Sequence, residues 1–215
     1  MAAVAMTGCA SAARPVRTSP EPAAAEQRGP SVAAKPKADS SGQLHTAADV
    51  HFMSAMIGHH AQAILMARLA PTHDASVPVR TLAERIINAQ QDEIALMQQW
   101  LRDRKQPVPE ARPGGMKMVH GGIEHEMLMP GMLTEAQLKQ LDEARGKEFD
   151  RLFLTFMIQH HQGAVAMVKD LFGSYGAGQD DTVFKLASDI NVDQTTEIAR
   201  MQTMLLNLLL EKSSQ

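Results

Sequence analysis

A stretch that occurs twice in the chain decides its fold. Residues 49–67 read DVHFMSAMIGHHAQAILMA, and residues 150–168 read DRLFLTFMIQHHQGAVAMV. Each copy keeps an aspartate, two methionines and a double histidine at matching positions. Internal duplication constrains the architecture of a chain more strongly than any single motif, because both copies are expected to form the same structural unit.

Each copy is followed by a second pair of related segments. Residues 90–101 read QQDEIALMQQWL, and residues 194–205 read QTTEIARMQTML. Both keep glutamine, then Glu-Ile-Ala, then Met-Gln at matching positions. The repeating unit therefore consists of two segments.

The first half predicts a helical hairpin. At 100° per residue, most apolar residues of 49–67 fall within one arc, which is the period of an amphipathic helix. Thr46 with Asp49 predicts an N-cap, and Pro71 ends this helix. A second helix is predicted over about 78–104, and the short loop between the two favours an antiparallel pair.

The second half repeats this plan. Thr134 with Gln137 predicts a capping box at the start of a helix over about 135–172, which Gly146 interrupts. A last helix is predicted over about 180–211. Because a single hairpin is too thin to bury its own apolar face, the two predict an all-α four-helix bundle.

The predicted organisation is a disordered tail followed by one domain. Residues 1–44 are rich in alanine and proline and lack an apolar period, which is typical of a disordered tether. The duplicated bundle is expected over 45–212. Its predicted parts are a first hairpin at 45–104, a crossover at 105–134 and a second hairpin at 135–212.

The N-terminal segment predicts export. The small residues before Cys9 resemble a bacterial lipoprotein signal, in which the cysteine carries the lipid anchor. We therefore expect a periplasmic, extracellular or lipid-anchored protein. The alternative interpretation is an alanine-rich disordered terminus with an incidental cysteine.

The sequence argues against nucleic acid as a partner and against a transmembrane segment. The net charge is −3, and the few aromatic residues do not alternate with a basic stripe, which argues against nucleic acid. No apolar run reaches 18 residues, so no transmembrane span is predicted.

The double histidines with their preceding Met-Ile, together with the QxxEIxxM segments, resemble the bacterial family named domain of unknown function 305. The resemblance covers about residues 45–210. It implies a ferritin-like bundle built by duplication and an exported protein. Some members are associated with copper binding and with copper or silver tolerance, but the family has no assigned activity.

The double histidines lie on apolar helices, so their rings need either hydrogen-bond partners or a metal ion. One interpretation is a structural network of histidine with glutamine and carboxylates. The other is a site for Cu(I) or Ag(I), which prefer imidazole and thioether ligands. The predicted helix ligands are His59, His60, His160, His161, Met53, Met56 and Met157, and the residues expected to orient them are Asp49, Asp150, Gln90, Gln194, Glu93 and Glu197. The other helix methionines (Met66, Met97, Met167, Met201 and Met204) are interpreted as core packing.

The crossover contains a second set of candidate ligands. Residues 116–132 read MKMVHGGIEHEMLMPGM, with five methionines and two histidines. We expect an exposed, flexible loop that wraps a soft cation through Met116, Met118, His120, His125, Met127, Met129 and Met132. The alternative is a methionine-rich loop that packs over the end of the bundle.

Other chemistry finds no support in the sequence. No predicted helix carries the Glu-x-x-His of ferritin-like di-iron sites, and no glycine-rich phosphate loop follows a strand. We therefore expect a non-enzymatic exported protein that sequesters Cu(I) or Ag(I) or passes it to an envelope metal-handling protein. The alternatives are a structural or interaction module of the cell envelope with a buried His-Gln-Glu core, and a copper-dependent redox enzyme.

Overall fold

The computed structural model describes residues 37–38, 44–120 and 123–213. Residues 1–36 and 39–43 of the predicted tail, including Cys9, lie outside the described residues, as do the side chains of 37–38, 116–120, 123–126 and 211–213. The helices are α1 (Ala47–Ala67), α2 (Val77–Asp103), α3 (Glu135–Glu143), α4 (Gly146–Gly173) and α5 (Asp181–Ser213). Strands β1 (Lys37–Ala38) and β2 (Leu44–His45) form one antiparallel pair, strands β3 (Met116–His120) and β4 (Ile123–Met127) form another, and a 3₁₀ turn covers Ala70–Thr72.

Both predicted capping boxes are present. The Thr46 hydroxyl accepts the Asp49 N–H at 3.2 Å, and the Thr46 N–H donates to Asp49 Oδ2 at 2.7 Å. Thr134 and Gln137 make the same reciprocal pair at the start of α3. These bonds satisfy amide groups that a helix start would otherwise leave without partners.

The long helix predicted over 135–172 is interrupted near Gly146, as expected. Ala144 is extended, and Gly146 has φ +57°, a conformation that glycine adopts without steric penalty. The Gly146 N–H donates to the His73 carbonyl at 2.9 Å, which ties this break to the turn between α1 and α2.

The four long helices form the predicted bundle. Helix α1 packs along α2, α4 packs along α5, and α1 contacts α4 across the interior. The buried apolar residues form two clusters. The first cluster holds six methionines: Met53, Met56, Met97, Met129, Met132 and Met167.

The repeated aspartates join the two hairpins. Asp49, on the first hairpin, accepts the N–H of Gly178 in the α4–α5 turn at 2.7 Å. Asp150, on the second hairpin, accepts the N–H of Ser76 before α2 at 3.1 Å. Each hairpin therefore holds the turn of the other through the same residue of the repeat.

The crossover differs from the prediction of an irregular loop. Strands β3 and β4 pair in register from Met116 opposite Met127 to His120 opposite Ile123. This hairpin was not predicted from the sequence.

None of the helices that the structure describes is apolar over a length sufficient to cross a membrane.

Candidate functional site

Four histidines meet in the middle of the bundle. His59 and His60 on α1 and His160 and His161 on α4 are all 0% exposed. The rings of His59 and His160 stack with their centroids 3.8 Å apart and their planes at 39°. The flanking pairs are almost equivalent, with centroids 6.4 Å apart for His59–His60 and 6.3 Å for His160–His161.

The outer ring of each pair binds a carboxylate. His60 Nε2 donates to Glu93 Oε2 at 2.6 Å, and His161 Nε2 donates to Glu197 Oε2 at 2.7 Å. Each bond runs between the two helices of one hairpin, so the repeat forms the same contact twice. A proton on Nε2 places the lone pair of a neutral ring on Nδ1.

The inner rings carry ring nitrogens without partners. Among the described residues, Nδ1 of His59 and both ring nitrogens of His160 accept or donate no hydrogen bond. Burial, reinforced by the neighbouring His60, lowers the pKa of His59 to about 3. Burial and the adjacent His59 lower the pKa of His160 well below its usual range. Both inner rings are therefore neutral near pH 7, the form in which imidazole binds a metal.

The stack does not by itself form a coordination site. A metal ion binds a ring nitrogen in the plane of the imidazole, whereas the His59 and His160 rings lie against each other, tilted by 39° with their centroids 3.8 Å apart. Within the described part of the chain, no three histidine, cysteine, aspartate or glutamate side chains are grouped as metal ligands. The quartet as observed is a polar core, and coordination by it requires the inner rings to turn.

The other residues predicted to orient the histidines lie in two different environments. Gln90 and Gln194 are buried on α2 and α5. Asp49 and Asp150 bind the inter-helix turns, and among their described hydrogen bonds none reaches a histidine.

Asp193, on α5, was not predicted from the sequence. Its pKa is raised by partial burial and by the nearby Glu93 and Glu197, so it lies close to both carboxylates that bind the outer histidines.

Residues 129–133, which we call the strap, cross α1 and α4 beside the histidines. His59 Nε2 donates to the Pro130 carbonyl at 2.9 Å. The Gln62 side chain accepts the Leu133 N–H at 2.7 Å and donates to the Leu133 carbonyl at 3.0 Å. Gln159 Nε2 donates to the Gly131 carbonyl at 3.2 Å. These bonds fix the end of the crossover to both copies of the repeat.

Differences between the two copies coincide with contacts to the crossover. The first copy has Gly58 and Gln62 where the second has Gln159 and Gly163. Both glutamines bind the strap, as described above. A Cβ on Gly163 would lie 1.9 Å from the Pro130 carbonyl oxygen, and a Cβ on Gly58 would lie 3.1 Å from the Gly114 carbonyl oxygen. The bundle is duplicated but the crossover is not. The crossover therefore contacts the two copies of the repeat differently, and the copies differ in sequence at those contacts.

The strap buries two methionines that were expected in an exposed loop. Met129 is 8% exposed and Met132 5% exposed, because the hydrogen bonds of the strap hold this segment against the bundle. Met127, at the end of β4, is 52% exposed. Met53, Met56 and Met157 are completely buried in the apolar clusters. The side chains of Met116, Met118, His120 and His125 lie outside the described residues.

A groove of about 270 Å³ lies between α1 and α4 beside the strap. Its walls are mainly apolar, and its lining includes His51, Phe52, Met127, Met129, Met167 and Leu171. His51 lies outside the apolar arc of α1 and was not among the predicted ligands, and Met167 was predicted to be core packing.

The duplicated bundle, with a double histidine in each half, agrees with the sequence family that matches the chain. The model of "Domain of unknown function (DUF305)" matches residues 49–205. The chain belongs to the DUF305 family. The resemblance inferred from the histidine and QxxEIxxM segments is thereby confirmed.

Solved structures of DUF305 proteins share this fold. One is a protein from Streptomyces coelicolor described as secreted, with 28% identity, a TM-score of 0.62, and coverage of 75% of this chain and 93% of that chain. Another is a DUF305 fragment from Deinococcus radiodurans, with 30% identity, a TM-score of 0.62, and coverage of 76% and 98%.

The DUF305 chain also resembles CopM, which has been solved both with metal and in the apo form. CopM in its Cu(II)-bound form is 32% identical, with a TM-score of 0.58 and coverage of 74% of this chain and 96% of that chain. Its Cu(I)-bound form gives 31% identity and a TM-score of 0.56, and CopM has also been solved with silver. No curated protein sequence matches the chain significantly.

Proposed function

We propose that this protein binds Cu(I) or Ag(I) as cargo outside the cytoplasm, without catalysing a reaction. The observation that carries the proposal is the similarity to CopM, which holds copper and silver in its solved structures. It is supported by the concentration of methionine and histidine in residues 116–132 of this chain. Thioether and imidazole ligands favour soft monovalent ions over Mg²⁺, Ca²⁺ or Mn²⁺.

The strap supports this proposal by bringing crossover methionines to the bundle. Met129 and Met132 join the same apolar cluster as Met53, Met56 and Met167. Met127 remains half exposed and lines the same groove as Met129 and Met167. An incoming ion therefore meets thioether ligands first at the surface and then in the interior.

The export part of the proposal is supported by the lipoprotein-like segment before Cys9 and by the Streptomyces relative described as secreted. A protein located outside the cytoplasm can bind incoming copper before it reaches the cytoplasmic chaperones. Sequestration there, or transfer to an envelope metal-handling partner, needs only binding and release. We accordingly propose no turnover.

A structural or interaction module is the second candidate, and the histidine quartet favours it. His60 and His161 already have carboxylate partners, and the tilted rings of His59 and His160 lie in contact with each other. This arrangement suits a polar core that fixes the register of the helices. In that case the quartet holds the bundle together whether or not metal is present.

Thermal melting distinguishes the two candidates. The protein is melted with and without Ag(I), and with Cu(I) under anaerobic reducing conditions. A ligand that binds the native state alone at 100 times its Kd stabilises it by about 2.7 kcal/mol, so the binding proposal predicts a clear rise in Tm with either ion. A Tm that neither ion changes would favour the structural module.

A further inference from the structure

We propose that the groove between α1 and α4 is a soft-cation site built from His51, Met127, Met129 and Met167. This inference rests on the proposed function and assigns its ligands. Two of the four residues, His51 and Met167, belong to the helices of the bundle. The crossover therefore supplies only half of the site.

The four side chains reach the groove from different parts of the chain. His51 lies in the first turns of α1, and Met167 lies near the end of α4. Met127 ends β4, and Met129 begins the strap. All four line the same cavity of about 270 Å³, in which the other polar side chains are those of Asp170 and Ser174.

The exposure of the four residues suits capture from solvent. Met129 and Met167 are 8% and 9% exposed and form the floor of the groove. Met127 and His51 are exposed at its edge. An ion can therefore meet an exposed thioether and imidazole before it reaches the two buried thioethers.

The chemistry of the lining selects the class of ion. Three thioethers and one imidazole are neutral ligands that suit Cu(I) and Ag(I). A doubly charged, strongly hydrated ion would lose more hydration energy in such apolar walls than these ligands restore. Asp170 at the lining adds one negative charge, which matches the single positive charge of Cu(I) or Ag(I).

The duplication gives an independent argument for His51. The second copy of the repeat has Leu152 at the position of His51, and Leu152 is buried in the apolar core. The two copies also differ at Gly58 and Gln62, which are positions that contact the crossover. His51 thus has no imidazole counterpart at the equivalent position of the second copy, and it lines the same groove as Met127 and Met129.

An apolar occupant is the competing explanation, because most of the lining is hydrocarbon. Such a ligand would gain nothing from an imidazole at the edge. It would also be largely indifferent to the replacement of a thioether side chain by a hydrocarbon side chain of similar volume. Methionine-to-leucine substitutions therefore separate the two explanations with little change in volume.

The test uses the full chain and Ag(I), which needs no reducing agent. Variants His51→Gln, Met127→Leu and Met167→Leu are compared with Met66→Leu, a buried methionine of α1 in the other apolar cluster. Ag(I) affinity is measured by competition with a chelator, and the methionine methyl groups are followed by ¹³C NMR. Met127 is half exposed, so its variant tests the site even if a buried substitution impairs folding.

We expect each of the three groove variants to lose at least about tenfold in Ag(I) affinity, since even outer-shell partners of metal ligands cost that much. The methyl resonances of Met127, Met129 and Met167 should shift with Ag(I), and Met66→Leu should bind as the natural protein does. Unchanged affinity in all three variants, with binding retained, would overturn the groove assignment and leave the proposed function standing. No binding by the natural protein would overturn both.

Discussion

His59 and His160, which occupy the same position in the two copies of the repeat, stack with their ring centroids 3.8 Å apart. Two imidazolium rings at that distance would repel each other in an interior that excludes water. Both rings are therefore neutral near pH 7, and their pKa values are lowered by burial first and by neighbouring histidines second.

This relationship predicts a stability that falls on acidification. In the unfolded chain His59 titrates near 6.5, whereas in the folded chain its pKa is about 3. Between these values the unfolded state binds more protons, so the contribution of the neutral ring is complete above pH 6.5 and is lost as the pH falls toward 3. Each unit of difference is worth about 1.4 kcal/mol. Urea denaturation at pH 7.5, 6 and 4.5 should give steadily lower free energies of unfolding.

Two variants test whether the buried histidines cause this pH dependence of stability. His160→Leu removes one buried ring and should flatten the profile, whereas His51→Gln removes an exposed ring and should leave it unchanged. Equal slopes for the two variants would show that other groups cause the loss of stability in acid.

The contact between Gly163 and the strap predicts a steric effect. An alanine Cβ at this position would lie 1.9 Å from the Pro130 carbonyl oxygen, so either the strap or α4 must move. We expect Gly163→Ala to destabilise the protein by about 1–3 kcal/mol. The control is Gly173→Ala, where an added Cβ meets no atom within 4 Å. Chemical denaturation measures both, and equal stabilities would contradict the observed packing.

Loss of the Gln62 side-chain amide is expected to loosen the strap at Leu133. Gln62→Leu removes both hydrogen bonds to the backbone of Leu133 and leaves its buried N–H and carbonyl without partners. Each unsatisfied group costs about 1–3 kcal/mol. Amide hydrogen exchange at Leu133 should therefore accelerate in Gln62→Leu but not in Gln162→Leu, which changes an exposed glutamine of α4. Unaltered protection at Leu133 would mean that Gln62 does not hold the strap.

The contacts of Asp180 with Trp100 and Arg104 join the two hairpins, so removing its carboxylate is expected to destabilise the protein. This buried carboxylate accepts the Trp100 indole N–H at 3.1 Å and a bond from Arg104 at 2.5 Å, and it accepts the N–H of Val183 at the start of α5. Removing one partner of a buried ion pair costs about 3–5 kcal/mol. Asp180→Ala should lower the free energy of unfolding by about that amount.

Asp181→Ala is the matched control for this effect, because its side chain is exposed one residue further along the chain. It should change the stability by only a fraction of the effect of Asp180→Ala. If the two variants were equally stable, the link between α2 and α5 would not depend on Asp180.

The duplication made most of the fold predictable. Thr46 with Asp49 and Thr134 with Gln137 placed two helix starts, and Gly146 placed the interruption before α4. These are local rules in which a residue acts on its immediate neighbours, so a sequence is sufficient to apply them. The crossover has no counterpart in the repeat, so the duplication gave no guide to its hairpin. Its strap depends on contacts with helices distant in sequence, which a local pattern does not reveal.

The candidate site was predictable only in part, for the same reason. The double histidines and the crossover methionines stand out as residue types, and Glu93 and Glu197 contact the outer histidines. The position of the groove depends on which side of α1 faces the crossover. His51 lies on that side, outside the apolar arc of the helix. Met167 fits the helix period so well that packing alone explained it until the structure placed it beside Met129.

The central claim is that the intact protein binds a soft monovalent cation, and an anaerobic titration with Cu(I) and a coloured chelator tests it most directly. Increasing amounts of protein are added to the preformed Cu(I)–chelator complex, with Zn²⁺ in a parallel titration as the harder ion. We predict that the protein withdraws at least one Cu(I) per chain from the chelator and that Zn²⁺ does not displace it. Complete retention of Cu(I) by chelators of graded affinity, including the weakest, would contradict the account.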